Sequence, residues 1–525
     1  MKISLHQISP KTGDLEGNYN KIVELYNLSN KEGADLCIFP ELALTGYLAE
    51  DLFLQKDFIE EAQNRLENLV KITKDSCLLI PTIIIKDKLY NGVIAAKNGK
   101  IIGQTSKEEL PNYGVFDEQR YFAPGKAQII TLNNYKIGVP ICEDIWFDSV
   151  CNDLKDQGAQ ILISVNASPF EKEKFNKRTK QVKKIYKNTT TPIIYCNQAM
   201  AQDGIILDGK SFCFDGELNM VGKSFEASTA SIELNDGKFQ LENTYPIASN
   251  ANEDIYKAMV LGTRNYVRDN CFNKVVLGLS GGLDSAMVAA IAVDAIGNSN
   301  VSAIMLPSKL TSNESLNDAQ KLADSLKIYL KTISIIDAFN CLSDTLNDNS
   351  TSDDDSVSLM HQNLQSRIRG TILMAESNKT GALLLTTGNK SEYATGYATI
   401  YGDMNGAFNP IKDLYKTELF ALARYKNIIP ESIINKEPSA ELAPEQKDSD
   451  SLPPYEILDG ILKQHIENGA KREELYGQFD PEVVDRVLKL LKNSEFKRRQ
   501  SAPGVKISSK NFEKDWRYPL TNWYR

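Results

Sequence analysis

One segment, Val275–Ser285, constrains the fold of this chain more than any other. It reads VVLGLSGGLDS, an apolar run typical of a buried strand, then a Ser-Gly-Gly turn, then the start of a helix predicted over Ser285–Ile296. Glycines let the backbone approach an anion, and a helix N-terminus directs free amide groups towards it. The segment therefore predicts a phosphate-binding turn. It lacks the Gly-x-x-x-x-Gly-Lys-Ser/Thr pattern, so it is not the Walker loop of kinases and GTPases.

Short apolar runs alternate with amphipathic stretches, which is typical of α/β proteins. In the first half the predicted strands are Lys2–Gln7, Leu36–Phe39, Cys77–Ile85, Gly92–Lys97, Lys136–Ile141, Ile161–Val165 and Ile193–Asn197, with helices at Asn18–Lys31 and Asp57–Lys74 and hairpins within Phe212–Leu241. In the second half they are Lys274–Leu279, Val301–Met305, Tyr329–Ile333 and Ala382–Thr386, with helices at Glu253–Asn270, Ser285–Ile296 and Asn313–Leu326. The repeated strand–helix–strand order implies a parallel sheet covered by helices on both faces.

The chain has 525 residues, enough for roughly two to four domains. A polar stretch with one proline, Thr244–Asn252, predicts a boundary, so we place domains at 1–246 and 253–525 with a linker at 247–252. Two further segments break the pattern. Asn347–Asp355 is acidic and polar and is expected to be mobile, and Lys436–Pro454 is expected to be a long loop over a site.

Composition excludes several classes of protein. A net charge of −9 argues against a nucleic-acid binder, because neutralising phosphates requires a basic surface. Eight cysteines are too few for a disulfide scaffold, and three histidines without a Cys-x-x-Cys pair make a zinc site improbable. No signal peptide and no apolar run of about 20 residues is evident, so we predict no membrane partner and a cytoplasmic location.

Three short segments of the first half place reactive side chains near predicted strands. Glu41 follows a strand and a proline, Lys107 lies in a polar loop, and Cys142 follows the strand Lys136–Ile141. Taken singly, each has an ordinary interpretation, as a solvated glutamate, a solvated lysine and a small buried hydrophobe. Together they offer a nucleophile, a base for its proton and a cation for an oxyanion.

These segments resemble the nitrilase, or carbon–nitrogen hydrolase, superfamily, which implies an α-β-β-α sandwich and an amide substrate. The resemblance implies that Glu41 is the general base, Lys107 stabilises the tetrahedral intermediate, Cys142 is the nucleophile and Glu118 is a supporting second glutamate. Further resemblance to the glutaminase members of this superfamily implies glutamine contacts at Tyr113, Ser168 and Lys174.

The SGGLDS turn resembles the pyrophosphate loop of the ATP pyrophosphatase family, which adenylates a carboxyl group before an amine attacks it. This implies a Rossmann-like parallel α/β domain. Six segments, in this order, resemble the NAD synthetases within that family: Asn363–Arg369, Thr386–Glu392, Tyr401–Met404, Pro410–Thr417, Lys436–Leu442 and Lys497–Gln500.

The NAD synthetase resemblance carries residue roles. ATP contacts are implied at Gly278, Leu279, Ser280, Gly281, Gly282, Leu283, Asp284, Ser285, Thr387 and Lys416. Deamido-NAD contacts are implied at Asn363, Glu392, Asp403, Lys436 and Lys510. Asp284 and Glu392 are implied to hold Mg²⁺, since a hard cation near a polyphosphate prefers carboxylate oxygens.

The two resemblances together imply that ammonia from glutamine is passed through the protein to adenylated deamido-NAD, giving NAD, AMP, pyrophosphate and glutamate. The implied partners are small-molecule substrates and further copies of the chain in a homo-oligomer. Three alternatives stay open: another glutamine-dependent ligase with the same ATP loop, an amidase fused to a regulatory nucleotide-binding domain, and a non-catalytic scaffold.

Overall fold

The computed structural model describes residues 1–247, 250–346 and 358–524. The chain divides into two compact units, Met1–Ser249 and Asn250–Arg525. The predicted linker 247–252 spans this division, and its residues 248–249 lie outside the described residues, as does the acidic segment Asn347–Asp355. Each unit has its own sheets and its own buried core.

The described residues of the first unit form two large sheets, one two-stranded sheet and four α-helices. Its strands are β1 (Lys2–Gln7), β2 (Leu36–Ile38), β3 (Cys77–Ile85), β4 (Leu89–Lys97), β5 (Lys100–Ser106), β6 (Ile129–Leu132), β7 (Tyr135–Gly138), β8 (Ile161–Asn166), β9 (Ile193–Asn197), β10 (Ala199–Gln202), β11 (Ile205–Asp208), β12 (Phe212–Phe214), β13 (Leu218–Met220), β14 (Ser228–Asn235) and β15 (Lys238–Leu241). Its α-helices are α1 (Leu15–Lys31), α2 (Lys56–Ile72), α3 (Asp148–Asp156) and α4 (Lys174–Thr189), and its 3₁₀ helices are Glu50–Leu54, Glu118–Arg120 and Cys142–Trp146.

The two large sheets pack face to face and bury a shared apolar layer. Their strand orders are β15-β14-β1-β2-β3-β4-β5 and β13-β12-β9-β8-β7-β6. Alternation along β8 explains the layering: Ile161 and Ile163 face the layer between the sheets, whereas Leu162 faces α3 and α4. On the other sheet, Tyr26 of α1 packs against Leu78 of β3. The unit is therefore an α-β-β-α sandwich, as predicted.

The second unit is built on a four-stranded sheet. Its strands are β16 (Val275–Gly278), β17 (Val301–Met305), β18 (Tyr329–Thr332) and β19 (Leu383–Leu385). Its α-helices are α5 (Ala251–Asp269), α6 (Leu283–Ile296), α7 (Asn313–Leu326), α8 (Ile336–Thr345), α9 (Leu359–Thr380), α10 (Lys390–Thr395), α11 (Lys416–Lys426), α12 (Glu431–Asn435), α13 (Tyr455–Ile466), α14 (Arg472–Tyr476), α15 (Pro481–Asn493) and α16 (Glu495–Arg498), with 3₁₀ helices at Asn298–Asn300 and Asp448–Asp450.

The four strands lie in the order β18-β17-β16-β19, and every pair is parallel, which confirms the predicted parallel sheet. Helix α6 is apolar on nearly all sides because it packs between the sheet, α5 and α11. A second apolar cluster joins α13 and α15 through residues such as Leu458 and Val487. Within the described part of the chain, no helix is long and apolar enough to cross a membrane.

Candidate active sites

A strained turn presents Cys142. The predicted strand Lys136–Ile141 ends early, at Gly138, because Pro140 has no N–H to give to a sheet, and Ile141 keeps one bridge to Val165. Cys142 then opens the 3₁₀ helix with a φ of +47°, a left-handed conformation that is uncommon for residues other than glycine. Backbone strain of this kind persists where the surrounding structure imposes it, often at functional sites.

Three buried charged groups lie beside this turn. Lys107 follows β5, and its Nζ lies 2.8 Å from Glu41 Oε1 and 2.7 Å from Glu118 Oε1. Lys107 and Glu41 are fully buried, and Glu118 is nearly so. The electrostatic influence of Glu41 and Lys107 reaches the Cys142 thiol. The structure thus brings together the four residues for which catalytic roles were predicted.

Further contacts fix the orientation of the Glu41 carboxylate. Asn91 Nδ2 donates to Glu41 Oε1 at 2.8 Å, and the Ala167 N–H donates to Oε2 at 3.0 Å. The Tyr47 hydroxyl donates to Glu118 Oε1 at 2.7 Å. Sequence reasoning missed Asn91 and Tyr47. For Asn91 a signal existed, since a lone polar residue begins the apolar run of β4.

Burial and neighbouring charge set the proton positions. Burial, followed by the charge of Glu41, raises the pKa of the Cys142 thiol well above its usual value, so the resting sulfur holds its proton. Burial opposes the charged form of Lys107, but the Glu118 and Glu41 carboxylates hold its pKa well above the ordinary lysine value. Burial also raises the pKa of Glu118. The group can take a proton from a thiol while keeping a fixed cation nearby.

The residues predicted to contact glutamine surround this group. The hydroxyl of the exposed Tyr113 donates to the Glu143 carboxylate at 3.0 Å. Burial raises the pKa of the Glu143 carboxyl, while the Tyr113 hydrogen bond and the charges of Lys107 and of Lys174, at the start of α4, favour its ionised form. Ser168 is buried, and its Oγ accepts a hydrogen bond from Arg178 Nε at 3.1 Å. Glu143, which sequence reasoning did not select, therefore places a negative charge opposite Lys174.

The second unit contains a cavity of about 310 Å³. It opens at the carboxyl end of β16, where parallel α/β sheets commonly bind ligands. Nine of the ten residues predicted to contact ATP line it: Gly278, Leu279, Ser280, Gly282, Leu283, Asp284, Ser285, Thr387 and Lys416.

The tenth residue, Gly281, shapes the turn instead. Its φ is +81°, and a Cβ there would lie 2.4 Å from the backbone oxygen of Ser315. Hydroxyl groups complete the turn, because the Gly282 N–H donates to Ser280 Oγ at 3.2 Å and Ser285 Oγ lies 3.1 Å from Ser280 Oγ. Because a Cβ at position 281 would collide with the backbone of α7, only glycine allows the turn to lie this close to that helix.

Among the charged residues that line the cavity, the carboxyl groups of Asp284 and Glu392 interact with the Lys416 ammonium. Lys416 Nζ forms a short contact with Asp284 Oδ2, and Asn389 Nδ2 donates to Asp284 Oδ1 at 2.7 Å. Burial and the nearby charge of Asp284 raise the pKa of Glu392 well above the usual range. A divalent cation prefers oxygen ligands, and the neighbouring carboxyl groups of Asp284 and Glu392 fit such a cation. Within the described ranges, no group of three or more Asp, Glu, His or Cys side chains that could hold a metal ion is present.

The predicted deamido-NAD contacts divide into two groups. Glu392, Asp403 and Lys436 line the cavity. Asn363 and Lys510 do not line it: Asn363 Oδ1 accepts from the Thr399 hydroxyl, and the Lys510 ammonium lies 5.6 Å from the Trp516 ring centre.

The segment Lys436–Pro454 is a loop with one short 3₁₀ turn, and its first half lines the cavity. Glu441 Oε1 anchors it, accepting from Ser315 Oγ at 2.6 Å and from Ser312 Oγ at 3.0 Å at the start of α7. Lys436 Nζ lies 3.2 Å from the same carboxylate oxygen. The loop is therefore fastened beside the phosphate-binding turn.

Comparison with known proteins accounts for both sites. The carbon-nitrogen hydrolase family matches residues 2–242, and the NAD synthase family matches residues 255–501. Glutamine-dependent NAD(+) synthetases from Thermotoga maritima and Acinetobacter baylyi are each 40% identical to the chain, over 100% of its length and 99% of theirs. The chain belongs to the glutamine-dependent NAD(+) synthetase family.

A solved structure of this glutamine-dependent NAD(+) synthetase family, from Acinetobacter baumannii in complex with ADP, is 37% identical, with a TM-score of 0.79 over 99% of this chain and 98% of that one. Another, from Cytophaga hutchinsonii, is 21% identical with a TM-score of 0.85 over the same shares and shows the same fold. The resemblances predicted from the motifs are confirmed for both halves of the chain.

Proposed function

We propose that this chain makes NAD⁺ from deamido-NAD, ATP and glutamine, with glutamine hydrolysis in the first unit and amide formation in the second. The observation that carries the proposal is the buried Glu41–Lys107–Glu118 group beside Cys142 in a chain whose other unit presents the SGGLDS turn to a cavity. Family membership supports the pairing of the two activities.

In the first unit, the Cys142 sulfur attacks the side-chain amide carbon of glutamine while the thiol proton passes to Glu41. The Lys107 ammonium stabilises the oxyanion of the tetrahedral intermediate. Collapse returns the proton to the amide nitrogen, so ammonia leaves and a γ-glutamyl thioester forms. A water molecule, deprotonated by Glu41, then cleaves the thioester to glutamate and the free thiol.

Glutamine is held by charge complementarity. Glu143 and Lys174 offer opposite charges near Cys142, and a free amino acid carries an ammonium and a carboxylate. Tyr113 orients the Glu143 carboxylate through its hydroxyl. This arrangement favours free glutamine over glutamine within a peptide, which lacks both charges.

In the second unit, a carboxylate oxygen of deamido-NAD attacks the α-phosphorus of ATP, and pyrophosphate leaves. Ammonia then attacks the acyl-adenylate carbon, AMP leaves and the amide forms. The backbone amides of Ser280, Gly282 and Ser285 and the hydroxyls of the two serines bind the phosphates. The Lys416 ammonium then leaves Asp284, contacts the phosphate oxygens and neutralises the charge of the leaving pyrophosphate.

Asp284 and Glu392 would hold Mg²⁺ in this unit. When bound, Mg²⁺ supplies positive charge to the phosphate oxygens and stabilises the leaving group. Deamido-NAD would extend past Asp403 and Lys436, which line the same cavity.

Two variants assayed with both nitrogen sources test the proposal. Cys142→Ala should abolish NAD formation from glutamine but leave formation from ammonia largely intact, because the thiol serves the first unit alone. Asp284→Asn should reduce both, since adenylation precedes attack by either source of nitrogen. Mass spectrometry of NAD, AMP, pyrophosphate and glutamate measures the outcome.

Normal glutamine use by Cys142→Ala would disprove the proposed nucleophile, and near-normal AMP release by Asp284→Asn would disprove the metal role. Glutamate release by the wild-type protein without pyrophosphate would instead support an amidase with a regulatory nucleotide-binding domain. A protein that forms neither product would be a scaffold.

A further inference from the structure

Asp144 is a fully buried carboxylate that the proposed mechanism does not use. It lies two residues after Cys142, inside the same 3₁₀ helix. Its Oδ2 accepts the N–H of Ile141 at 2.9 Å, and its Oδ1 accepts the N–H groups of Glu109 and Glu108 at 2.8 and 3.1 Å. All three donors are backbone amides, so the carboxylate binds main chain on two sides.

The two sides belong to the two loops that present the reacting groups. Ile141 directly precedes Cys142, and Glu108 directly follows Lys107. The loops are 36 residues apart in sequence at the Glu108–Asp144 contact. One buried carboxylate thus connects the backbone of the proposed nucleophile to the backbone of the proposed oxyanion-stabilising lysine.

We propose that Asp144 is a positioning residue for glutamine hydrolysis, keeping the Cys142 sulfur and the Lys107 ammonium at the separation that the tetrahedral intermediate requires. The proposal rests on the proposed roles of Cys142 and Lys107. The oxyanion forms one bond away from the attacked carbon, so the cation must be fixed relative to the sulfur. A displacement of about 1 Å can reduce the rate about 10²-fold.

The chemistry of the side chain explains why a carboxylate stands here. Both of its oxygens accept hydrogen bonds, which matches donors on opposite sides. An asparagine has one acceptor oxygen, so its NH₂ group would face an N–H on one side. Burial raises the pKa of Asp144 to about 7, although backbone amides and Lys107 favour the ionised form. Assays at about pH 8 therefore examine the carboxylate.

An ordinary helix-capping role makes a different prediction. Helix capping alone contributes about 1 kcal/mol to the free energy of unfolding. Loss of a cap would therefore not lower kcat for glutamine while leaving KM unchanged. A positioning role lowers kcat for glutamine, leaves KM for glutamine nearly unchanged and leaves ammonia-dependent synthesis intact.

The test uses two variants of the full-length protein, Asp144→Asn and Asp144→Glu. The first removes one acceptor, and the second keeps both acceptors but moves them by one methylene group. Asp215→Asn is the matched control, because Asp215 is also buried and accepts the Phe239 N–H at 2.9 Å, but in the β12–β15 region. Hydrogen exchange of β8 and β9 verifies that the first unit is folded.

We expect either folded variant to lose about 10- to 100-fold in kcat for glutamate release, with KM for glutamine and ammonia-dependent NAD formation within about two-fold of wild type. A folded variant that matches Asp215→Asn, or that loses both nitrogen sources equally, overturns the proposal. Cys142→Ala, assayed in parallel, separates the two hypotheses: if it still uses glutamine, the proposed function fails whatever Asp144 does.

Discussion

At the scale of single residues, the first unit buries two carboxylates against one ammonium. Lys107 contacts Glu41 and Glu118 at nearly equal distances. During the attack by sulfur, Glu41 would gain a proton and lose its charge. Glu118 would then be the remaining anion that keeps Lys107 charged, so the oxyanion always meets a cation. This assigns different tasks to two similar glutamates.

Replacing Glu118 with Gln should lower kcat for glutamine about 100-fold, because Lys107 would have no neighbouring anion to favour its charged form once Glu41 takes the thiol proton. Ammonia-dependent synthesis should stay unchanged. Steady-state glutamate release and NAD formation measure the two effects. Glu67→Gln, on the exposed face of α2, is the control. Equal kcat values for the two variants would contradict this role.

At the scale of elements, one strand and one loop carry testable consequences. Strand β1 lies between β14 and β2 in the seven-stranded sheet and contains His6, which is fully buried. His6 Nε2 lies 2.8 Å from Ser29 Oγ, and its ring stacks on Phe39 at 4.9 Å. Burial, with a smaller effect of Lys21, lowers the pKa of His6 to about 3.

Because the folded pKa of His6 lies below its unfolded value of about 6.5, His6 should destabilise the first unit as pH falls below that value. The loss should reach about 2 kcal/mol at pH 5. Urea titrations followed by hydrogen exchange of β1 peptides, at pH 7.5 and pH 5, measure it. His6→Gln should remove most of this pH dependence. If the stability of His6→Gln depends on pH as strongly as that of the wild type, other titratable groups cause the pH dependence.

The Lys436–Pro454 loop is anchored through Glu441, beside the phosphate-binding turn. If the loop excludes water from the adenylated intermediate, as mobile lids do, then Glu441→Ala should let water compete with ammonia. The ratio of AMP to NAD should rise from one to above about 1.5. Glu445→Ala, an exposed change in the same loop, is the control. A ratio of AMP to NAD of one in both variants would show that the loop is an ordinary surface loop that does not exclude water.

At the scale of the whole molecule, prediction from sequence succeeded where local pattern decides structure. The bounds of β1, β3 and β9 were predicted to the residue, because short apolar runs end there at turn-forming residues. Helix α4 was not predicted, since its many lysines hide the apolar positions Val182 and Ile185. The parallel pairing of β16 to β19 could be predicted because the sequence pattern shows strands alternating with helices.

The sites show the same division. Cys142, Lys107 and Asp284 stand in motifs of contiguous residues, so sequence reveals them. Asn91 and Asp144 contact segments that are distant in sequence. The Asp144 carboxylate accepts hydrogen bonds from backbone amides, and every residue type except proline offers a backbone amide, so the neighbouring sequence does not reveal the contact. Such residues require the packed structure.

The burial of Cys142 has a consequence for inhibitor design. A thiolate reacts with electrophiles far faster than a thiol, and burial keeps this sulfur protonated near neutral pH. General thiol reagents should therefore modify the exposed Cys271 and Cys341 first. An electrophile attached to an amino-acid mimic would react faster with Cys142 because the mimic binds beside Glu143 and Lys174, and not because the electrophile is more reactive. Selective irreversible inhibitors should thus combine a weak electrophile with a zwitterionic scaffold.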